Sequence, residues 1–441
     1  MLHGLLTFTQ LYGLYQNTPS KTASMIESIE NTYVKIVLIF VPLMIAIFYF
    51  ILQWGWNESF YRGMVLLVVA SPCALVASAT PATLAAISNG AKHGILFKGG
   101  AYLENFAQLK AIAFDKTGTL TKGMPVVTDT FFVSKNQQAE ILNVVVAMEK
   151  TSTHPIAKAL VTEFNHAVTN STVASTIIDH TGHGLECWAY GSNWKIGKKD
   201  FILEDKLQNT TLFTQAETLQ NQGKTVIYIK RNTELVAYFG LLDVPKSDAK
   251  EMIDFFKAHH IQTIMITGDN QATGETIGKQ LGVDEIYANC LPAEKTKLIQ
   301  QLKEKYGTIG MVGDGINDAP ALANASIGIA MGGGTDIAID VADVVLMKNE
   351  LNMLSYSYDL SKKLKKVTIQ NMIFSISIII LLILSNLFQY ITLPLGVIGH
   401  EGSTILVILN GLRLLQSIKE KDSLPPKQKK HSVAKSLLTE R

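Results

Sequence analysis

Four apolar stretches, each near the roughly 20 residues that a membrane crossing needs, constrain this chain more than anything else in it. They cover residues 34–53, 63–87, 370–389 and 392–414. Inside lipid a backbone must satisfy its own hydrogen bonds, so each stretch reads as a helix. They pair into two hairpins with short connections, Gly55 to Arg62 and a few residues around Tyr390. Residues 88–369 differ in character. There short β-like runs alternate with amphipathic helical ones, the pattern of α/β structure on a parallel sheet. A mean hydropathy of +0.20 agrees with membrane spans joined to a sizeable soluble part.

Charge and cysteine usage narrow the class further. A net charge of +2 carries no footprint for nucleic acid, so no nucleic-acid partner is expected. Cys73, Cys187 and Cys290 are too few and too scattered for a disulfide framework, which fits a reducing compartment for the soluble part. Residues 1–31 lack a basic start followed by an apolar core, so a cleavable leader is not expected. Lys362 to Lys366 (KKLKK) and the tail from Lys419 to Lys430 flank the spans on one side. The positive-inside rule puts that side, and the large soluble segment with it, in the cytoplasm. The tail itself reads as a disordered solvated segment.

The soluble segment holds a set of clusters that share one kind of chemistry. Leu109 to Phe114 is a short apolar run that ends in Asp115-Lys116-Thr117-Gly118-Thr119. A carboxylate at the carboxyl end of a buried parallel strand lies where open α/β sheets bind ligands, and there it can attack a phosphoryl group. Alone, the pentapeptide is equally a polar turn. Three more clusters decide between these readings. Ile264 to Ile266 leads into Thr267-Gly268-Asp269-Asn270, and Pro292-Ala293-Glu294-Lys295 sets an amine at a helix start. Ile309 to Val312 leads into Gly313-Asp314-Gly315-Ile316-Asn317-Asp318. Together they supply a nucleophile, a hydroxyl, a cation and carboxylates for Mg²⁺, the parts that phosphoryl transfer requires.

These motifs resemble the signature of the P-type ATPases, whose phosphorylation domain resembles the haloacid-dehalogenase fold. The resemblance covers nearly the whole chain. It implies that Asp115, followed by Lys116, is the phosphorylated aspartate and that Lys295 stabilises the phosphoryl group. Thr117 and Thr267 would position it, Gly268 and Asp269 would face the nucleotide, and Asp314 and Asp318 with Asp115 would hold Mg²⁺. Related phosphatases carry a second Asp two residues after the nucleophile; here Thr117 stands there, so an acyl phosphate should persist.

Between Lys122 and about Tyr238 the sequence leaves that domain. Glu149 and His154-Pro155 sit on one helix start (EKTSTHPIAKAL), and Gly182-His183-Gly184 follows a β-like run. A lone His-Pro is commonly a helix entry, and a lone Gly-x-Gly is a weak signal. In this order they resemble the heavy-metal P-type ATPases, in which the Glu, the His and both Gly surround adenine and ribose, with Gly197 a further candidate. ATP and Mg²⁺ are the cofactors this implies.

The membrane stretches carry polar residues of their own. Ser71-Pro72-Cys73 lies in the second, where proline frees backbone carbonyls and a thiolate offers a soft ligand. His400-Glu401-Gly402-Ser403-Thr404 lies in the last, and ionisable groups at membrane depth are functional candidates by default. The combination resembles the subgroup of heavy-metal pumps with Ser-Pro-Cys in one helix and His-Glu-Gly-Gly-Thr in a later one, associated with Zn²⁺, Co²⁺ and Cd²⁺. Ser71, Cys73, His400, Glu401 and Thr404 would then meet the transported metal. Ser403 replaces the usual second Gly.

The resulting expectation is a multidomain α/β protein with transmembrane helices. Residues 1–31 read as a remnant of an actuator-to-membrane helix, and 32–90 as two membrane helices. Residues 91–122 and 239–355 form a haloacid-dehalogenase-like phosphorylation domain interrupted by an α+β nucleotide-binding domain over 123–238. Residues 356–416 supply two further membrane helices and 417–441 a basic cytoplasmic tail. No Thr-Gly-Glu-Ser of an actuator is found, so the chain resembles the carboxy-terminal two-thirds of a pump. A separate chain carrying the actuator is a candidate partner, beside the metal ion and membrane lipid. The reading is ATP-driven translocation of a divalent heavy metal, across what is expected to be the cell membrane. The alternatives are a truncated pump without transport and a membrane-tethered phosphatase.

Overall fold

Helices α1 (Lys21–Phe50), α2 (Trp56–Val69), α3 (Cys73–Val76) and α4 (Thr80–Lys92) open the chain and lead into strand β1 (Ile95–Phe97). Then come β2 (Ala111–Asp115), β3 (Thr121–Phe132), α5 (Gln138–Glu149) and α6 (Pro155–Phe164). Strands β4 (Ile177–His180), β5 (Gly184–Ala189), β6 (Ser192–Gly197), β7 (Thr225–Arg231) and β8 (Glu234–Pro245) follow. Next are β9 (Gln262–Ile266), β10 (Glu285–Tyr287), α7 (Pro292–Tyr306) and β11 (Ile309–Gly313). The chain continues through β12 (Ile327–Met331) and β13 (Val344–Leu346) to the long helices α8 (Asn352–Leu387) and α9 (Leu393–Leu412). This computed structural model describes residues 21–152, 154–168, 176–180, 183–202, 210–269 and 271–417. Residues 1–20 of the expected actuator remnant, Gly182, Asn270 and the tail from residue 418 lie outside the described residues.

Contacts divide the chain into two units, residues 1–110 with 326–333 and 341–441, and residues 111–325 with 334–340. The first unit holds four helical stretches long and apolar enough to cross a membrane, Ser24–Phe50, Trp56–Lys92, Asn352–Leu387 and Leu393–Leu415. The second of these is broken. Helix α2 stops at Val69 and α3 starts only at Cys73, because Pro72 has no N–H to donate and its ring clashes with the preceding turn. The third begins 18 residues before the apolar stretch read from sequence (352 against 370) and runs through the Lys362 to Lys366 cluster. Lysine is a good helix former, and each added residue extends an existing ladder. Helix α9 packs against α2, α3 and α4, with His400, Ser403, Val407 and Gly411 on its buried face. The spacing of these four is the stripe a helix turns toward its neighbours. This unit also carries three short strands in the order β1-β13-β12.

The second unit contains two sheets. In one, four parallel strands run in the order β11-β2-β9-β10, with Phe114 opposite Met265 and Val312. Both β2 and β11 are buried along their full length, as strands covered on both faces must be. The other sheet is antiparallel with the order β3-β8-β7-β6-β5-β4. Its two faces bury different cores. Ile227 and Ile229 join Trp194 and Met148 on one side, while Val226 and Tyr228 join Phe201 on the other. That alternation is the period-two geometry of a strand. The 12-residue strands β3 and β8 start and end beside the Asp115 motif, where Thr121 pairs with Pro245. A parallel sheet interrupted by an α+β insert agrees with the fold read from sequence.

Candidate active site

Three strand ends converge. Asp115 closes β2, Thr267 follows β9, and Asp314 follows β11; these strands are neighbours in one parallel sheet, so their carboxyl ends share one edge. Helix α7 brings the fourth element. Pro292 occupies its first turn and the Glu294 carboxylate accepts a hydrogen bond from the Leu291 N–H at 2.9 Å, which fixes where the helix starts. Lys295 therefore lies in the first turn of the helix. Its Nζ reaches Asp115 Oδ1 at 2.5 Å and Asp318 Oδ1 at 2.7 Å. One cation thus bridges two buried carboxylates, with Asp115 7%, Asp318 3% and Lys295 6% exposed.

Asp115, Asp314 and Asp318 each present an oxygen within 4.8 Å of the others. Among the described residues no other three His, Cys, Asp or Glu side chains gather in this way. Three hard oxygen donors, one of them half-buried, fit Mg²⁺, which binds through few carboxylates and keeps several waters. The electrostatics match such crowding. Burial, then the charge of Asp318, raises the Asp115 carboxyl to about 7 against the downward pull of Lys295. Burial and Asp318 push Asp314 up as well, and Asp115 and Asp318 raise Lys295 against its desolvation.

The loop after Asp115 is shaped by Gly118. Its φ of +73° lies in the left-handed region, and a Cβ there would stand 1.7 Å from Asp314 Oδ2. Thr117 and Gly268 are exposed at the rim. Lys116 turns away from the carboxylate triad; its Nζ pairs with Asp269 at 2.5 Å and lies 3.7 Å from Asp243. Thr267 Oγ1 accepts from the Asp269 N–H at 3.1 Å, so the Thr-Gly-Asp segment is held as a turn.

Three residues here were not singled out from sequence. Thr121 Oγ1 contacts Asp243 Oδ2 at 2.5 Å and the Lys116 carbonyl at 3.0 Å. Lys246 Nζ donates to the Gly118 carbonyl at 2.9 Å, and its charge acts on Asp314. The only local signal was Asp243-Val-Pro-Lys246 at the end of an apolar strand, an ordinary strand exit.

The expected nucleotide residues are distributed over the antiparallel part. Glu149 is the last residue of α5 rather than part of the next helix start; it is 7% exposed, and burial, then Asp179, raises its carboxyl to about 7. His154 caps α6, its Nδ1 accepting from the Ile156 N–H at 3.2 Å. Gly184 and Gly197 pair across β5 and β6. A Cβ on either would meet backbone oxygen, Ile196 O at 2.2 Å or His183 O at 2.4 Å, so only glycine permits this approach.

In the membrane-type unit, Ser71 Oγ lies 2.9 Å from Cys73 Sγ, and Cys73 is exposed at the start of α3. His400 is buried with no hydrogen-bond partner for Nε2, which stands 3.9 Å from the exposed Glu401 carboxylate. The hydroxyls of Ser403 and Thr404 both donate to the His400 carbonyl, at 2.6 and 3.3 Å. Cys73, His400 and Glu401 do not form one tight ligand cluster, in contrast to the aspartate triad.

The chain is similar to known proteins over most of its length. The haloacid dehalogenase-like hydrolase family matches residues 109–326. A zinc-transporting ATPase of Bacillus subtilis (strain 168) is 46% identical over 401 residues, covering 91% of this chain and 63% of that protein. A cadmium-transporting ATPase of Staphylococcus aureus is 36% identical, covering 94% of this chain and 58% of that protein. The chain thus spans about three-fifths of the length of these curated relatives. A crystal structure of a zinc-transporting PIB-type ATPase in the E2.Pi state superposes with a TM-score of 0.78 at 32% identity, covering 90% of this chain and 67% of that one.

Proposed function

Because the chain belongs to the heavy-metal-transporting P-type ATPases, we propose that it couples phosphorylation of Asp115 by ATP to movement of a divalent metal ion across a membrane. The observation that carries this reading is the bridge from Lys295 to Asp115 and Asp318, with Asp314 completing a three-carboxylate cluster. In the proposed step an Asp115 carboxylate oxygen attacks the γ-phosphorus. The new O–P bond forms as the bond to the β,γ-bridging oxygen breaks, and ADP carries away that electron pair. Lys295 offsets charge on the transferring group, and Thr267 and the Thr117 backbone region orient it; catalysis here is positioning and charge neutralisation. Asp115, Asp314 and Asp318 would hold Mg²⁺, which when bound supplies further charge neutralisation on the phosphoryl oxygens.

Thr117 supports persistence of the acyl phosphate, since it offers no carboxylate to activate water beside it. The burial of Glu149 at the end of α5 supports a nucleotide site formed with His154 and Gly184. The transported ion is read as Zn²⁺, Co²⁺ or Cd²⁺, with Ser71, Cys73, His400, Glu401 and Thr404 along its path. A soft thiolate and a buried imidazole suit such borderline metals. The catalytic unit is read as cytoplasmic and the membrane as the cell membrane. Incubation with γ-labelled ATP and Mg²⁺ should give acid-stable, hydroxylamine-sensitive labelling that Asp115→Asn abolishes. Labelling that persists in Asp115→Asn overturns the assignment.

A further inference from the structure

A carboxamide buried in an apolar helix is costly unless its donors and acceptor are all used. Asn371, in α8 and 2% exposed, uses them on two other elements, the stretch between α3 and α4 and helix α9. Its Nδ2 donates to the Ser78 carbonyl at 3.2 Å and to the Val407 carbonyl at 3.3 Å, and its Oδ1 accepts from Asn410 Nδ2 at 2.8 Å. Asn410 is itself oriented, since its Oδ1 accepts from Arg413 Nη1 at 2.8 Å.

The two carbonyls are not arbitrary. Ser78 lies in the non-helical stretch between α3 and α4, five residues after Cys73, on the segment that Pro72 breaks. Val407 lies seven residues after His400, two turns along α9 on the same buried face. One side chain therefore ties the segment carrying Cys73 to the helix carrying His400. Both tied elements also present a buried polar atom without a hydrogen-bond partner, Ser78 Oγ and His400 Nε2.

We propose that Asn371 is a positioning residue that sets the register of the Cys73 segment against the His400 helix, and so governs metal affinity without touching the ion. This rests on the proposed metal path. A leucine at 371 keeps the γ-branched shape and suits a helix, but leaves the Ser78 carbonyl unheld and Asn410 Nδ2 without its acceptor.

The test is Co²⁺ titration of the purified full chain in detergent, followed by thiolate-to-Co²⁺ charge transfer and ligand-field absorption. The wild-type chain should show a thiolate band that Cys73→Ala removes. Asn371→Leu should bind Co²⁺ about tenfold or more weakly, or with displaced ligand-field bands, as expected when outer partners of a metal site are lost. Its labelling at Asp115 should stay within about twofold of wild type, which separates the effect from general misfolding. An Asn371→Leu titration and spectrum that overlay wild type overturn the proposal. Should that variant fail to fold, Asn410→Ala decides. Altered binding there supports the proposal, and a wild-type spectrum overturns it. A wild-type chain whose spectrum equals that of Cys73→Ala instead sinks the metal-path reading, and this inference with it.

Discussion

Replacing Gly118 by alanine tests the site at its tightest point. The residue has φ +73°, and an added Cβ would sit 1.7 Å from Asp314 Oδ2 and 2.6 Å from its Cγ. Non-bonded carbon–oxygen contacts stay above about 3 Å, so the carboxylate must retreat by roughly 1.3 Å. Mg²⁺ tolerates little of that, because it requires oxygen ligands at about 2.0–2.1 Å in near-octahedral geometry. The left-handed backbone adds roughly 1–2 kcal/mol of strain for a residue with a Cβ. Gly191→Ala separates the two effects, since Gly191 has φ +68° and nothing within 4 Å of its added Cβ. Both variants should lose roughly 1–2 kcal/mol of stability to that backbone strain. Only Gly118→Ala should need about tenfold or more Mg²⁺ for half-maximal labelling of Asp115 from ATP. The assay is acid-stable label against Mg²⁺ concentration, with thermal unfolding run in parallel. If Gly118→Ala labels with the wild-type Mg²⁺ dependence, the argument that Gly118 makes room for the Asp314 ligand is wrong.

Two further variants probe charge. Glu149 has its carboxyl raised from 4.5 to about 7, so the folded state holds that proton more tightly than the unfolded one. Stability must then fall as pH rises from about 4.5 to about 7, by roughly 3 kcal/mol in all, and level off above. Glu149→Gln should flatten that dependence and be the more stable protein at pH 8, read by denaturant unfolding through the fluorescence of the buried Trp194. Equal pH profiles in the two proteins would refute the burial argument. Lys246→Met removes the donor to the Gly118 carbonyl and the cation acting on Asp314. A hydrogen bond from a charged group contributes about 1.5–3 kcal/mol, so the labelling rate should drop by about tenfold or more. Unchanged labelling would remove Lys246 from the site.

Much of the candidate site was legible because strand-end motifs are local. LKAIAF before Asp115 and IMI before Thr267 are apolar runs whose burial on both faces requires a parallel sheet, and the polar residues that follow fall at its carboxyl edge. Pro72 likewise announced a break in a membrane helix. What could not be read was decided by distant neighbours. Asp243 and Lys246 look like an ordinary strand exit until Thr121, Lys116 and Gly118 are seen beside them. Gly184 looked like a ligand-facing glycine, yet its first requirement is the close approach of β5 to β6. Asn371 sits in an apolar stretch with no periodic signal at all.

By itself the sequence determined which residues could do chemistry and on which element each would lie, because strand and helix periodicity arise between residues a few positions apart. Only the tertiary structure decided which of them meet and in what state of charge. Lys295 contacts Asp115 across 180 residues of sequence. Glu149 becomes a carboxyl that holds its proton toward neutral pH because the fold removes its water and brings the charge of Asp179 to bear on it. Desolvation and through-space charge depend on everything packed around a group, and no local pattern in the sequence encodes that.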